Sequence, residues 1–223
     1  MKPRILIGSA DVPGGEPLRL FRRDDDYMIV LDRNELMNSR MSGSEEVLAV
    51  GTIERLEQRS APRILIGGYG MGFTLRAALG AAGAQAQVVV AELVPGIINW
   101  ARGPMATLTA GCLDDPRVRV IEGDVAAVIE AADAEYDAIL LDVDNGPDGL
   151  TREGNDRLYS PRGLAVARNA LKARGILAVW SAAPDHRFAR RLGEAGFKVE
   201  EVAVRARQSG KGPRHVIWYG TKR

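Results

Sequence analysis

The strongest constraint on this chain is an alternation of short apolar runs with longer helical stretches, which begins near residue 62. The runs are rich in Val, Ile and Leu and lie at residues 63–66, 87–91, 117–121, 138–141 and 176–180. Gly83, Gly111 and Gly175 stand where the intervening helices should end. Buried strands separated by helices predict a mostly parallel sheet with helices on both faces.

The two ends of the chain carry different patterns. Residues 198–207 and 215–219 predict an antiparallel hairpin that closes the sheet, whereas residues 18–22 and 27–31 predict a small N-terminal β-hairpin. A helix is expected over residues 44–58. We therefore predict an α/β, Rossmann-like fold in two parts, which are an N-terminal β-hairpin region with an entry helix (residues 1–58) and a cofactor-binding catalytic domain (residues 59–223).

Composition excludes several classes of protein. The 223 residues carry a net charge of +1, so no basic excess indicates a nucleic-acid partner. The single cysteine, Cys112, cannot form an intramolecular disulfide and is typical of a cytoplasmic protein. No apolar run approaches the roughly 20 residues of a membrane span. No cluster of His and Cys is present, and we predict no metal.

A glycine loop and three acids carry the chemical signal. The loop Gly68-Tyr69-Gly70-Met71-Gly72 follows the first strand and precedes a helix, where glycines allow close approach of a ligand. Glu92, Asp124 and Asp142 each follow one of the next strands. Parallel strands end at one edge, where such folds bind ligands. Glu92 could therefore accept both ribose hydroxyls, and Asp124 the amine of adenine.

Two phosphate-binding alternatives fit less well. The dinucleotide fingerprint requires a glycine where Phe73 stands, so an NAD-dependent oxidoreductase is disfavoured. No Gly-Lys-Ser or Gly-Lys-Thr follows the loop, as a nucleotide-phosphate loop requires. The pattern therefore favours an adenosyl cofactor, S-adenosylmethionine.

These residues resemble the spermidine synthase family of aminopropyltransferases, within the class I methyltransferase superfamily. The resemblance covers roughly residues 28–180. It is carried by the loop and helix start ILIGGYGMGFTLR (residues 64–76), by Glu92, by residues 115–118 leading to Gly123-Asp124, and by YDAILLD (residues 136–142). It implies further cofactor contacts at Leu93, Gly123, Val125 and Glu35, the last where the family has a glutamine. It also implies a homodimer.

The chain departs from that family at positions that bear on the reaction. Met71 replaces a loop aspartate that the resemblance implies anchors the amine of decarboxylated S-adenosylmethionine. Ser44-Glu45 replaces a Tyr-His pair, and Asn145 replaces a second aspartate beyond Asp142. Because methionine cannot pair with a cation, we expect methyl transfer from S-adenosylmethionine to a small cationic amine. Aminopropyl transfer and a non-catalytic cofactor-binding homologue are the alternatives.

The loop after the fourth strand is expected to lie over the reacting end of the cofactor. Asp144 is the candidate general base for the attacking amine, because a carboxylate can hold the ammonium and take its proton. Asn145 could orient the substrate, and Asp142 completes the candidate catalytic set. Asp148, Glu45 and Glu46 would add negative potential that favours a cationic acceptor.

Overall fold

A four-stranded antiparallel sheet forms near the first residues, and it is larger than the hairpin expected there. Its strands, in spatial order, are β1 (Ile5–Ala10), β2 (Leu18–Arg23), β3 (Asp26–Leu31) and β4 (Asn34–Asn38). The expected hairpin is β2 and β3, which pair from Leu18 with Leu31 to Arg23 with Asp26. Strand β1 is an edge strand on which Ile5 and Leu6 are exposed. It was not predicted, because its sequence lacks the alternation of buried and exposed residues that is typical of a strand.

Seven strands form the second sheet, in the order β10-β11-β9-β8-β5-β6-β7. This is a computed structural model, and it describes residues 3–56, 59–143, 156–207, 209 and 212–223. The strands are β5 (Arg63–Gly67), β6 (Gln87–Glu92), β7 (Val118–Glu122), β8 (Tyr136–Leu141), β9 (Leu171–Ser181), β10 (Phe197–Arg205) and β11 (Arg214–Lys222). Strands β5 to β9 pair in parallel, and β10 and β11 close the sheet as an antiparallel hairpin. The predicted fold class is confirmed.

Helices cover both faces of this sheet because its strands are apolar on both sides. They are α1 (Gly43–Glu54), α2 (Phe73–Ala81), α3 (Pro95–Arg102), α4 (Ala106–Thr109), α5 (Val125–Glu130), α6 (Asp156–Tyr159), α7 (Pro161–Ala170) and α8 (His186–Glu194). One core contains Ile64 and Ile66 with residues of α1, α2 and α3. The other contains Leu65 and residues of α5, α7 and α8. Alternation along β5 thus divides its side chains between two cores.

Two elements differ from their sequence expectations for local reasons. The helix expected over residues 94–108 is split into α3 and α4, since Gly103 and Pro104 intervene and proline cannot continue the hydrogen-bond ladder. Strand β9 begins at Leu171, five residues before the apolar run that predicted it. Arg174 has a φ of 60° in this early part, where the pairing with β8 is irregular. In the described part of the chain, no helix is both long and apolar enough to cross a membrane.

Candidate functional site

A cleft lies between the carboxyl ends of the parallel strands and the N-terminal sheet. Its polar wall comes from the loops after β5, β6 and β8 and from the residues after β7, and it contains Gly68, Gly70, Glu92, Leu93, Gly123, Asp124, Val125 and Asp142. Its apolar wall comes from the N-terminal sheet and adjoining loops and contains Val12, Leu18, Ile29, Leu31, Leu36 and Met37. Glu16 is a further acid, and no lysine or arginine of the described residues lines the cleft. A cationic ligand is therefore favoured over an anionic one.

The glycine loop allows backbone and side chains to approach closely. Gly68 has a φ of 86°, and a Cβ there would lie 2.5 Å from the carbonyl oxygen of Asp142. Gly70 has a φ of 55°, and its Cβ would lie 2.6 Å from Cε of Met37 on β4. A side chain at Gly68 would push the backbone of Asp142 away, and one at Gly70 would displace the end of the Met37 side chain and strain a left-handed backbone. The loop therefore requires these glycines for shape, whatever the cleft binds.

Glu92 is held rigidly at the end of β6. Its Oε1 accepts a hydrogen bond from the N–H of Val94, and its Oε2 accepts one from the N–H of Tyr69, both at 2.8 Å. Glu92 is only 5% exposed, and burial raises the pKa of its carboxyl against the opposing effect of these two N–H groups. The N–H groups of Gly70 and Leu93 also act on this carboxyl, so the backbone fixes its position from several sides. This arrangement suits a pair of ligand hydroxyls.

Asp124 serves the local structure as well as the cleft. Its Oδ1 accepts a hydrogen bond from the N–H of Ala126 at 2.8 Å, which caps the N-terminus of α5. Its Oδ2 accepts a hydrogen bond from the guanidinium of Arg157 at the surface. A ligand amine at Asp124 would therefore share a carboxylate that already has two donors.

Asp142 stands between the main cleft and a smaller cavity beside it. The hydroxyl of Thr74 donates to Oδ2 of Asp142 at 2.6 Å. The smaller cavity is lined by Met37, Asn38, Met41, Glu45, Tyr69, Met71, Phe73 and Asp142. Burial raises the pKa of Asp142 to about 6. Burial, followed by the negative charge of Asp142, raises the pKa of Glu45 to about 7. Two carboxylates thus face one small space.

Several predicted site residues do not line the main cleft. The Tyr69 side chain is buried beside Cys112, with its hydroxyl 3.7 Å from Sγ, so only its backbone reaches Glu92. Gly72 caps the start of α2 at a φ of 77° and lines neither described cavity. Glu35 is exposed on β4 and accepts a hydrogen bond from the amide of Asn38 at 2.6 Å. Asp144, Asn145 and Asp148 lie outside the described residues, and their roles stay predictions.

The sequence did not reveal the apolar wall of the cleft or the position of Glu45. Leu36 and Met37 belong to β4, which was not expected, and only its pairing with β3 brings them over the glycine loop. Glu45 lies in the first turn of α1, far from the strand ends in sequence. The one available signal was that Ser44-Glu45 replaces a Tyr-His pair of the resembled family.

Comparison with known proteins gives relatives of one kind. No family model matches the chain. It is 31% identical over 166 residues to the polyamine aminopropyltransferase of Mycobacterium tuberculosis, covering 73% of this chain and 30% of that protein. It is 33% identical over 149 residues to polyamine aminopropyltransferase 1 of Streptomyces coelicolor, covering 63% and 27% respectively. The chain thus spans less than a third of the length of these curated relatives.

Solved structures agree on the fold. A spermidine synthase from Thermotoga maritima superposes with a TM-score of 0.76 at 20% identity, covering 98% of this chain and 73% of that one. A spermidine synthase in complex with the transition-state analogue AdoDATO has the same TM-score, covering 98% and 72%. The chain is spermidine synthase-like.

The expectation of a methyltransferase was wrong. The relatives of this spermidine synthase-like chain are polyamine aminopropyltransferases. The expectation rested on Met71, which removes an acid from the glycine loop. However, Met71 lines the smaller cavity together with Glu45 and Asp142, so that cavity retains two carboxylates.

Proposed function

We propose that this chain is an aminopropyltransferase that uses decarboxylated S-adenosylmethionine and a small cationic amine. The observation that carries the proposal is a cleft beside the glycine loop that is lined by four acids and, among the described residues, by no lysine or arginine. The donor carries a sulfonium and an ammonium and no carboxylate, so its charge is complementary to such a cleft. The curated relatives named polyamine aminopropyltransferase give further support.

The residues of the cleft supply binding and positioning. Glu92, fixed by two backbone N–H groups, is suited to the ribose hydroxyls, and Asp124 to the amine of adenine. The apolar residues of the N-terminal sheet would cover the base. The donor brings an activated carbon–sulfur bond. The chain must therefore hold the attacking nitrogen in line with that bond and exclude water.

The transfer of the aminopropyl group requires that the attacking amine lose a proton. The amine forms a bond to the propyl carbon while the carbon–sulfur bond breaks, and the electron pair returns to sulfur to give neutral methylthioadenosine. The attacking nitrogen loses one proton, which a nearby carboxylate can accept. Asp142 reaches both cavities, and Asp144 remains a proposed base outside the described residues.

The reaction is tested directly with the purified chain, decarboxylated S-adenosylmethionine and 1,4-diaminobutane, with products followed by mass spectrometry. We expect one methylthioadenosine for each aminopropylated amine. Methylation of the diamine with S-adenosylmethionine as donor would contradict the proposal. Tight binding of the donor without turnover against a series of diamines would instead identify the non-catalytic homologue, which the replacements at Met71 and Asn145 allow.

A matched pair of variants tests the ribose contact. Glu92→Gln should weaken donor binding at least tenfold, since the neutral amide is a poorer acceptor for two hydroxyls and one backbone N–H loses its partner. Glu122→Gln is the control, because Glu122 is the register partner of Glu92 on β7 and is exposed. Equal affinities of the two variants for the donor, measured by calorimetry, would show that Glu92 does not bind it.

A further inference from the structure

The smaller cavity contains an acidic pair that the described residues do not neutralise. Glu45 enters it from α1 and Asp142 from the end of β8, and their remaining neighbours there are mostly Met, Phe and Tyr side chains. Neither carboxylate has a lysine or arginine within ion-pair distance in the described part of the chain. Met37 and Asp142 also line the main cleft, so the two spaces adjoin.

A hydrogen-bond chain orients Glu45 from the opposite side of the cavity. The hydroxyl of Ser44, which is fully buried, donates to Oε2 of Glu45 at 2.7 Å. The hydroxyl oxygen of Ser44 lies 2.9 Å from Nδ1 of His215 on β11. Because the serine proton is given to Glu45, the imidazole must donate, which requires the Nδ1–H form. Burial lowers the pKa of His215, so the ring is neutral at pH 7.

His215 is itself fixed by packing. Its ring contacts that of Trp180 edge-on, with centroids 4.7 Å apart. The indole Nε1–H of Trp180 is buried and has no hydrogen-bond partner among the described residues. The C-terminal hairpin and β9 therefore fix the imidazole that contacts Ser44, and through Ser44 they orient Glu45.

We propose that Glu45, oriented by Ser44 and His215, binds a primary ammonium group together with Asp142 in the smaller cavity. This inference rests on the proposed function. It supplies an ammonium site in place of the loop aspartate that Met71 replaces. The ammonium belongs either to the aminopropyl group of the donor or to the acceptor amine, since both are primary amines of the same chemistry. Glu45 is the binding residue, and Ser44 and His215 are positioning residues.

Charge balance supports the proposal. Burial raises the pKa of both carboxyls, and the negative charge of Asp142 further raises the pKa of Glu45, so a proton or another cation beside the pair is favoured. A bound ammonium cation would balance the remaining negative charge. The other titratable groups near Glu45 are Glu46 on its own helix, Tyr69 of the loop and His215.

Calorimetry with Glu45→Gln separates the two sources of the ammonium. If the donor supplies it, the variant binds decarboxylated S-adenosylmethionine at least tenfold more weakly and binds methylthioadenosine, which lacks the amine, as the parent does. If the acceptor supplies it, donor affinity is unchanged and 1,4-diaminobutane binds at least tenfold more weakly to the complex with methylthioadenosine. Either result supports the proposal, and neither requires turnover, so failure of the proposed reaction is recognised separately.

Two results would overturn it: unchanged affinity for both ammonium ligands, or an equal loss for methylthioadenosine. The control is Glu54→Gln, an exposed acid on the same helix. Ser44→Ala tests positioning, and we expect a two- to fivefold loss confined to the ammonium ligand and a changed pH dependence of its affinity between pH 6 and 8. An unaltered pH dependence would remove Ser44 from this role even if the variant were less stable.

Discussion

At the scale of single residues, Gly68 illustrates how the shape of the site is fixed before any ligand binds. Gly68→Ala combines a left-handed backbone with a contact of 2.5 Å to a backbone oxygen that cannot rotate away. We expect a loss of about 2 kcal/mol or more in the free energy of unfolding, together with weaker donor binding. Denaturant unfolding followed by circular dichroism measures the first effect.

Gly80 provides the comparison for that substitution. It lies within α2, and a Cβ there would meet no atom within 4 Å. Gly80→Ala should stabilise the protein by up to about 1 kcal/mol, because alanine loses less conformational freedom in a helix. A similar loss at both positions would show that the glycine loop is not under the strain described.

The residues of the site were predictable where the topology placed them. Glu92, Asp124 and Asp142 follow parallel strands, so their convergence on one edge follows from strand direction alone. Glu45 was assigned only a contribution to negative potential, because its approach to Asp142 depends on how α1 packs across the end of β8. Met71 was judged by its own chemistry, without the neighbouring acid that shares its cavity.

At the scale of elements, α5 depends on a cap that is also a cleft residue. Asp124→Ala should cost about 1 kcal/mol through loss of the cap and should also weaken donor binding. Asp185→Ala is the matched control, because Asp185 caps α8 by accepting from the N–H groups of Arg187 and Phe188 and does not line the cleft. Thermal unfolding and calorimetry on both variants separate the two roles. Loss of affinity in both would show that it follows from stability alone.

Elements were predictable where the period of the apolar pattern was clean. The five parallel strands and the closing hairpin were each expected from the sequence, and all of them except β7 contain buried residues. Strand β4 was missed because Asn34 and Glu35 are exposed and its pairing with β3 is irregular between Ile29 and Val30. The division of the chain at residue 58 stays a prediction.

At the scale of the whole molecule, the acidic pair should make stability depend on pH. The pKa of Glu45 is about 7 and that of Asp142 about 6 in the folded chain, both above their ordinary values. The folded state therefore holds more protons than the unfolded state between about pH 4 and pH 7, and stability falls as the pH rises through that window. We expect the Tm of the wild type, relative to Glu45→Gln, to fall by a few degrees from pH 5 to pH 8.

Scanning calorimetry at several pH values checks this expectation, with Glu54→Gln as the control for removing one acid from α1. A difference between wild type and Glu45→Gln that stays constant with pH would contradict it. The expected homodimer and cytoplasmic location are also properties of the whole molecule, and they stay predictions.

Met37 and Asp142 belong to the walls of both cavities, and this has a kinetic consequence. A ligand in the larger space would contact the same methionine and aspartate that a ligand in the smaller space meets. Two ligands that share a partition in this way cannot bind independently. Initial-rate kinetics should then show that the apparent KM for each substrate changes with the concentration of the other.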